Sequence, residues 1–182
     1  PQAGPGQYFP PAPLIQAVVA AMAPTPQEPA ADPACGTGGV LRAAHDYVVK
    51  HYPNMTSAEK KKLRGESFKG WELVQATARL CAMNMLLHGI EVPSNIRHDN
   101  TLARPLRDYT PKDRVDVVVT NPPFGGTEED GIEANFPASF RTRETADLFL
   151  VLITHLLKDG GRAAIVLPDG TLFGEGVKTR IK

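Results

Sequence analysis

The sequence has no surplus of either charge: Lys and Arg together number 20, and Asp and Glu number 20. A protein that grips nucleic acid unaided more often carries a basic excess. If this chain acts on DNA or RNA, something else supplies much of the phosphate contact. Cysteine is scarce, with Cys35 and Cys81 alone and no C-x-x-C or Cys/His cluster, which suggests neither a disulfide framework nor a zinc site. A reduced, cytoplasmic compartment is then the default expectation. No apolar run approaches the roughly 20 residues that a membrane span needs, and no signal-peptide pattern opens the chain. Internal repeats and low-complexity tracts are also missing.

What remains is an ordinary globular composition. With 182 residues and 42% hydrophobic content, the chain is expected to form one domain with a real core. The start at Pro1 and the end at Lys178–Lys182, which reads as a helix start cut short, suggest a piece of a longer protein. Residues 1–13 are proline-rich and loop-like. Leu14, Ile15, Val18, Val19 and Met22 then recur at helical spacing, with Pro13 suited to a first helical position. After a connector over 24–29 comes Ala30–Gly39, then a helix near Val40–Lys50 with Leu41, Ala44 and Val48 inward. Lys60–Lys62 read as a solvated helix face. A strand is expected over 67–72. A helix over 73–88 should follow, with Leu73, Ala76, Leu80, Met83 and Leu87 on one face and Gly89 as its stop. Ser94–His98 reads as a third strand, Val115–Thr120 as a fourth and Arg162–Leu167 as a fifth. A long Gly- and charge-rich loop spans 125–144, and a helix spans 145–157 with Leu148, Phe149, Leu152, Ile153 and Leu156 inward. Such alternation predicts an α/β fold: an open, mostly parallel sheet with helices on both faces.

The unusual residues fall just after the expected strands: Asp32 with Gly36, Gly38 and Gly39, then Glu72, Asp99 and Asn121–Phe124. Ligands of such sheets bind beyond the carboxyl ends of the strands, so four strand ends converge on one rim. In Asn121-Pro122-Pro123-Phe124 two prolines remove two backbone donors and fix two φ angles. The result is a stiff platform with an amide, unopposed carbonyls and an aromatic ring, able to grip a flat, amine-bearing group. Taken alone, the tetrapeptide stays open between that reading and a turn. The glycine loop lets backbone approach a ligand at a helix start. It is neither a Walker A sequence nor G-x-G-x-x-G, since Leu41 stands at the third glycine position. Glu72 suits two vicinal ribose hydroxyls, and Asp99 an adenine amino group. Jointly they suit a nucleoside cofactor without phosphates, such as S-adenosylmethionine. NAD fits poorly with the long insertion between Gly39 and Glu72.

Asp32-Pro33-Ala34-Cys35-Gly36-Thr37-Gly38-Gly39 together with Asn121-Pro122-Pro123-Phe124 resembles the N6-adenine DNA methyltransferases. More narrowly, the chain resembles the methylation (modification) subunit of type I restriction-modification systems. That match rests on Gly6–Phe9, Glu72-Leu73, Ala78–Asn84, Phe136-Pro137, Glu144–Phe149 and Gly161–Gly170. The resemblance implies a Rossmann-like methyltransferase domain over 1–182, with 1–29 on the cofactor side, 30–182 as the α/β core, and the family's last strands lacking. It implies cofactor contacts from Gln7, Tyr8, Phe9, Pro10, Pro11 and Ala12, from Thr37 to Gly39, and from Glu72, with Asp99 near the adenine ring. Asn121, Pro122 and Phe124 would hold a target adenine flipped out of DNA. A specificity subunit would read the DNA sequence, beside a second methylation subunit and a restriction subunit. The loop with Arg141 and Arg143 would close over DNA, meet a partner or stay solvated. Two departures stand out. Pro10-Pro11 replaces the usual Thr-Pro, removing a hydroxyl near the cofactor carboxylate, and Pro29-Ala30-Ala31 is weak strand material. Rival readings are an amine methyltransferase acting on RNA or a protein glutamine, and a cofactor-binding module without catalysis.

Overall fold

The structure, a computed structural model, describes residues 10–91, 93–167, 169 and 177–181. Its centre is a five-stranded sheet of β1 (Ala30–Asp32), β2 (Phe68–Glu72), β3 (Ile96–His98), β4 (Val115–Thr120) and β5 (Leu157–Ile165). The strand order is β3-β2-β1-β4-β5 and every pairing is parallel. The chain moves outward from β1 to β3, then returns to β4 on β1's other side. The gap between the β1 and β4 exits is therefore the point where the order reverses, and ligand clefts form there.

Among the described residues six α-helices accompany the sheet: α1 (Ala12–Met22), α2 (Gly39–His51), α3 (Ser57–Gly65), α4 (Gln75–Leu87), α5 (Thr145–Leu156) and α6 (Val177–Ile181). Ala30, Val117 and Val119 pack with Val19, Leu41, Val48, Cys81 and Met85 in one core layer. Ala31, Val118 and Trp71 pack with Leu148, Leu152, Leu156 and Phe136 in the other. Helices thus cover both faces, as expected. β1 is poor strand material, yet all three of its residues are buried between β2 and β4. Pairing on both edges overrides propensity there. α5 buries nine of its twelve residues, including every one expected inward. α3 starts with a Thr56–Glu59 capping box and leaves Lys60 and Lys61 exposed, so the lysine run is indeed a solvated face. Arg162 on β5 holds α1 in place. It donates to Met22 O at 2.6 Å and Ala23 O at 3.1 Å, and pairs with both Glu28 oxygens at 2.7 and 2.9 Å.

Two expectations are corrected. α4 turns the opposite way: Ala78, Cys81 and Met85 are buried, while Leu73, Ala76, Leu80, Met83 and Leu87 are exposed. The cause is the close approach of the glycine loop. A Cβ on Gly38 would lie 2.6 Å from Met85 Cε and 2.8 Å from Cys81 Sγ, so small or flexible side chains must face inward and branched leucines cannot. β5 begins at Leu157 rather than Arg162. Val115 pairs with Leu157 and Val117 with Arg162, and a break in the ladder register, with Gly160 at φ +78°, lies between these pairings. The 125–144 loop keeps most of its residues exposed and is anchored to the core at one point. Phe136 is buried in the core, and Asn135 Nδ2 donates to Leu102 O at 3.1 Å and Ala103 O at 3.0 Å. Arg141 bonds Phe136 O, and Arg143 bonds Glu128 O and Asp130, so both arginines close the loop on itself.

Gly38 also holds φ +85°, a conformation costly for any other L-residue. Gly38→Ala combines that strain with overpacking against Cys81 and should destabilise the fold by about 1–3 kcal/mol. Urea denaturation measures it. An unchanged midpoint would show that α4 yields without cost.

Candidate active site

Asp32 leaves β1 and Thr120 ends β4, and both side chains are buried. Thr120 Oγ1 donates to Asp32 Oδ1 at 2.6 Å, and the Ala34 N–H donates to the same oxygen at 3.0 Å. This carboxyl therefore joins the strand before the glycine loop to the strand before Asn121. Burial pushes its pKa from 3.8 up to about 7, opposed by the Thr120 and Ala34 bonds and aided by the nearby Glu72 charge.

The glycine loop is held from three sides. Cys35 N–H donates to Trp71 O at 2.9 Å, Thr101 Oγ1 donates to Pro33 O at 2.7 Å, and Asn84 Nδ2 donates to Thr37 O at 3.0 Å. Gly36 takes φ +53°, so its N–H reaches Glu72 Oε2 at 3.1 Å. The other Glu72 oxygen accepts from Val74 N–H at 2.7 Å. Two backbone bonds thus orient the Glu72 carboxylate, which retains lone pairs for further donors.

These elements enclose a cleft of about 260 Å³. Pro10, Asp32, Gly36, Thr37, Gly39, Glu72, Asp99, Asn121 and Pro123 all line it. The structure therefore brings together residues from the exits of β1, β2, β3 and β4. Other candidates lie elsewhere. Pro11 caps α1, its carbonyl accepting from Leu14 and Ile15 N–H, and Ala12 begins that helix on the surface. Gly38 is buried beneath α4, Pro122 is buried behind the rim, and half-buried Phe124 stands outside the cleft lining. Gln7, Tyr8 and Phe9 fall outside the described residues.

Several lining residues escaped the sequence reading. Leu73, Val74, Asn100 and Leu102 directly follow singled-out acids or lie close to them in the chain, and could have been found by extending those stretches. Glu128 and Phe149 had no local signal. Glu128 reaches the rim because the Thr127–Glu144 bridge folds the loop back, and Thr145 Oγ1 fixes its Oε1 at 2.7 Å. Asp32, Glu72, Asp99 and Glu128 are the acidic side chains lining the cleft, Asp32 the one whose burial favours its neutral form, and no Lys, Arg or His joins them among the described residues. Such a lining favours a cationic ligand and repels phosphate. It agrees with a sulfonium cofactor and opposes a dinucleotide.

The sequence profile of the family described as N-6 DNA Methylase matches residues 2–182. The chain is 56% identical to the methylase subunit of the type I restriction enzyme EcoEI of Escherichia coli, over 97% of this chain and 35% of that protein. It is 37% identical to the StySPI methylase subunit of Salmonella potsdam, over all of this chain and 35% of that protein. Among solved structures it resembles the M protein of the type I restriction enzyme EcoKI. The TM-score there is 0.85 and the identity 36%, over 96% of this chain and 37% of that one. The chain thus spans about a third of the length of the relatives it matches.

The raised Asp32 pKa sets a pH dependence. The folded state holds this proton up to about pH 7, while the unfolded chain releases it near 3.8, so unfolding within that window releases a proton. The Asp32 contribution is full below pH 3.8, declines as pH rises to about 7 and is flat above. Its span is at most about 4 kcal/mol. Asp32→Asn keeps an acceptor for Thr120 and should remove this slope. Denaturation midpoints at pH 5 and 8 test it, and an unchanged slope in the variant would place the titration elsewhere.

Proposed function

The chain belongs to the N-6 DNA methylase family, and on that footing we propose that it is the catalytic segment of a type I restriction-modification methylation subunit. The reaction is transfer of a methyl group from S-adenosylmethionine to the N6 amine of adenine in DNA. The observation that carries this reading is the shared rim. The glycine loop, Glu72 and Asp99 line one cleft with Asn121 and Pro123, and the Asp32–Thr120 bond joins its two sides.

The residues present fit S-adenosylmethionine. Gly36 adopts a left-handed conformation that leaves its surroundings open, with nothing within 4 Å of a notional Cβ, and Gly39 starts a helix whose first N–H groups suit a carboxylate. Glu72 suits the ribose hydroxyls, and exposed Asp99 suits the base. The carboxylates of Glu72, Asp99 and Glu128 around the cleft suit a ligand that carries positive charge. When bound, the cofactor supplies an electrophilic methyl group. The protein's task is to make a poor nucleophile available, because the adenine N6 lone pair is delocalised into the ring. Asn121 Oδ1 and the Pro122 carbonyl accept the two N–H bonds, which favours a tetrahedral nitrogen with its lone pair free. Phe124 stacks on the base, which must leave the duplex because its amine is otherwise paired. No strong base is needed at the outset, since the amine proton becomes acidic only as methylation proceeds.

On this reading DNA sequence recognition belongs to a specificity subunit, with a second methylation subunit and a restriction subunit in the complete enzyme, and the neutral net charge of the chain agrees with it. One related solved structure is described in terms of complex assembly of a type I restriction-modification system, which supports that arrangement.

Asn121→Ala should abolish methylation by the complete enzyme while S-adenosylmethionine affinity stays within about threefold, because only the amine's acceptor is removed. Labelled cofactor, followed by nucleoside analysis for N6-methyladenine, measures the first, and calorimetry the second. Surviving turnover would sink the role given to Asn121. Glu72→Gln should instead weaken cofactor binding about tenfold or more, since charge-assisted bonds contribute roughly 1.5–3 kcal/mol.

A further inference from the structure

Helix α4 is apolar on both sides. Inward, Ala78, Cys81 and Met85 are buried; outward, Leu80 is 55%, Met83 60% and Leu87 82% exposed. Leu80, Met83 and Leu87 are spaced by three and four residues, so they form one stripe along the helix. Leu86 widens it, and Leu73 and Val74 extend it to the cleft that they also line. Gln75 and Arg79 are the polar residues among the outward positions of α4. Scattered exposed leucines need no explanation, but a continuous apolar face does. Beside it, β3 ends the sheet, and an edge strand is normally covered or blunted.

We propose that the outer stripe of α4 is an internal packing face of the full-length subunit, covered by an apolar helix from the part of that polypeptide outside residues 1–182. The occupant follows from three observations. The relatives match this chain over only 35% of their length, so most of such a subunit lies elsewhere in its chain. The stripe is Leu and Met with Arg79 as the charged residue along it, the composition of a permanent contact rather than of an exchangeable polar surface. Its three-and-four spacing suits ridges-into-grooves packing of a second helix, and Arg79 at the margin selects a carboxylate on that helix. Because Leu73 and Val74 belong to both stripe and cleft, the covering helix also walls the cleft beside Glu72. The proposal rests on the chain being a segment of a longer methylation subunit, and not on the methyl-transfer chemistry.

Thiol labelling tests it without reading activity. Met83→Cys places one accessible thiol on the stripe, while Cys35 and Cys81 are buried and their silence reports that the chain is folded. With a maleimide, the introduced thiol should label at the rate of an exposed thiol in the 182-residue chain, and at least about tenfold more slowly in the full-length subunit. Lys61→Cys, on exposed α3, should label equally in both. Equal rates for the Met83→Cys thiol in both proteins overturn the proposal. Protection that appears only when other subunits are added, or only as the concentration of the short chain rises, also overturns it by assigning the face to a partner or to a second copy. Methylation by the complete enzyme is read separately, so a failure here leaves the proposed chemistry standing.

Discussion

The hydrogen bond from Thr120 Oγ1 to Asp32 Oδ1, 2.6 Å long and buried, lies where the sheet reverses its order. Its two residues end the neighbouring strands β1 and β4, and each is followed by one half of the site. Asp32 leads into the glycine loop, and Thr120 into Asn121-Pro122-Pro123-Phe124. A short β1 of weak strand residues could slip against its neighbours. The carboxyl, accepting also from Ala34 N–H, ties the loop to β4 at the point where the two halves must share one geometry. Burial of the carboxyl is costly, as its raised pKa shows, and the hydrogen bonds offset part of that cost.

Around that bond the ionisable side chains of the cleft are all acidic. Asp32, Glu72, Asp99 and Glu128 line the cleft, although the whole chain is neutral. The chain thus concentrates acid where a cation would sit and spreads its bases over the surface and into structural contacts, such as Arg162 with Glu28 and Arg143 with Asp130. A cleft of this kind is suited to a small cationic cofactor. It is poorly suited to holding a phosphodiester backbone, which agrees with assigning DNA sequence reading to other subunits.

α4 shows how one close approach redirects an element. The loop passes so near the helix that Gly38 leaves no room for a side chain against Cys81 and Met85. Asn84, on the same helix, bonds Thr37 O, so α4 acts as the back wall of the glycine loop. The leucines that helical periodicity assigns to the core are thereby turned outward. They form the stripe whose cover is inferred to lie in the remainder of the subunit.

By itself the sequence determined the α/β alternation and the strand exits that line the cleft. Those features are local. β-branched runs such as Val115–Thr120, glycines at a helix start, and prolines after a strand each act through their own backbone geometry. The tertiary structure alone decided which face of α4 is buried, because periodicity reports that a face is apolar and not what it meets. It alone brought Glu128 and Phe149 to the rim, since their placement depends on the docking of a 20-residue connection from 125 to 144 around buried Phe136. It also showed that Asp32 and Gly38 serve the site by holding its frame: their side-chain and steric partners, Thr120, Cys81 and Met85, are far away in the chain and adjacent only when it is folded.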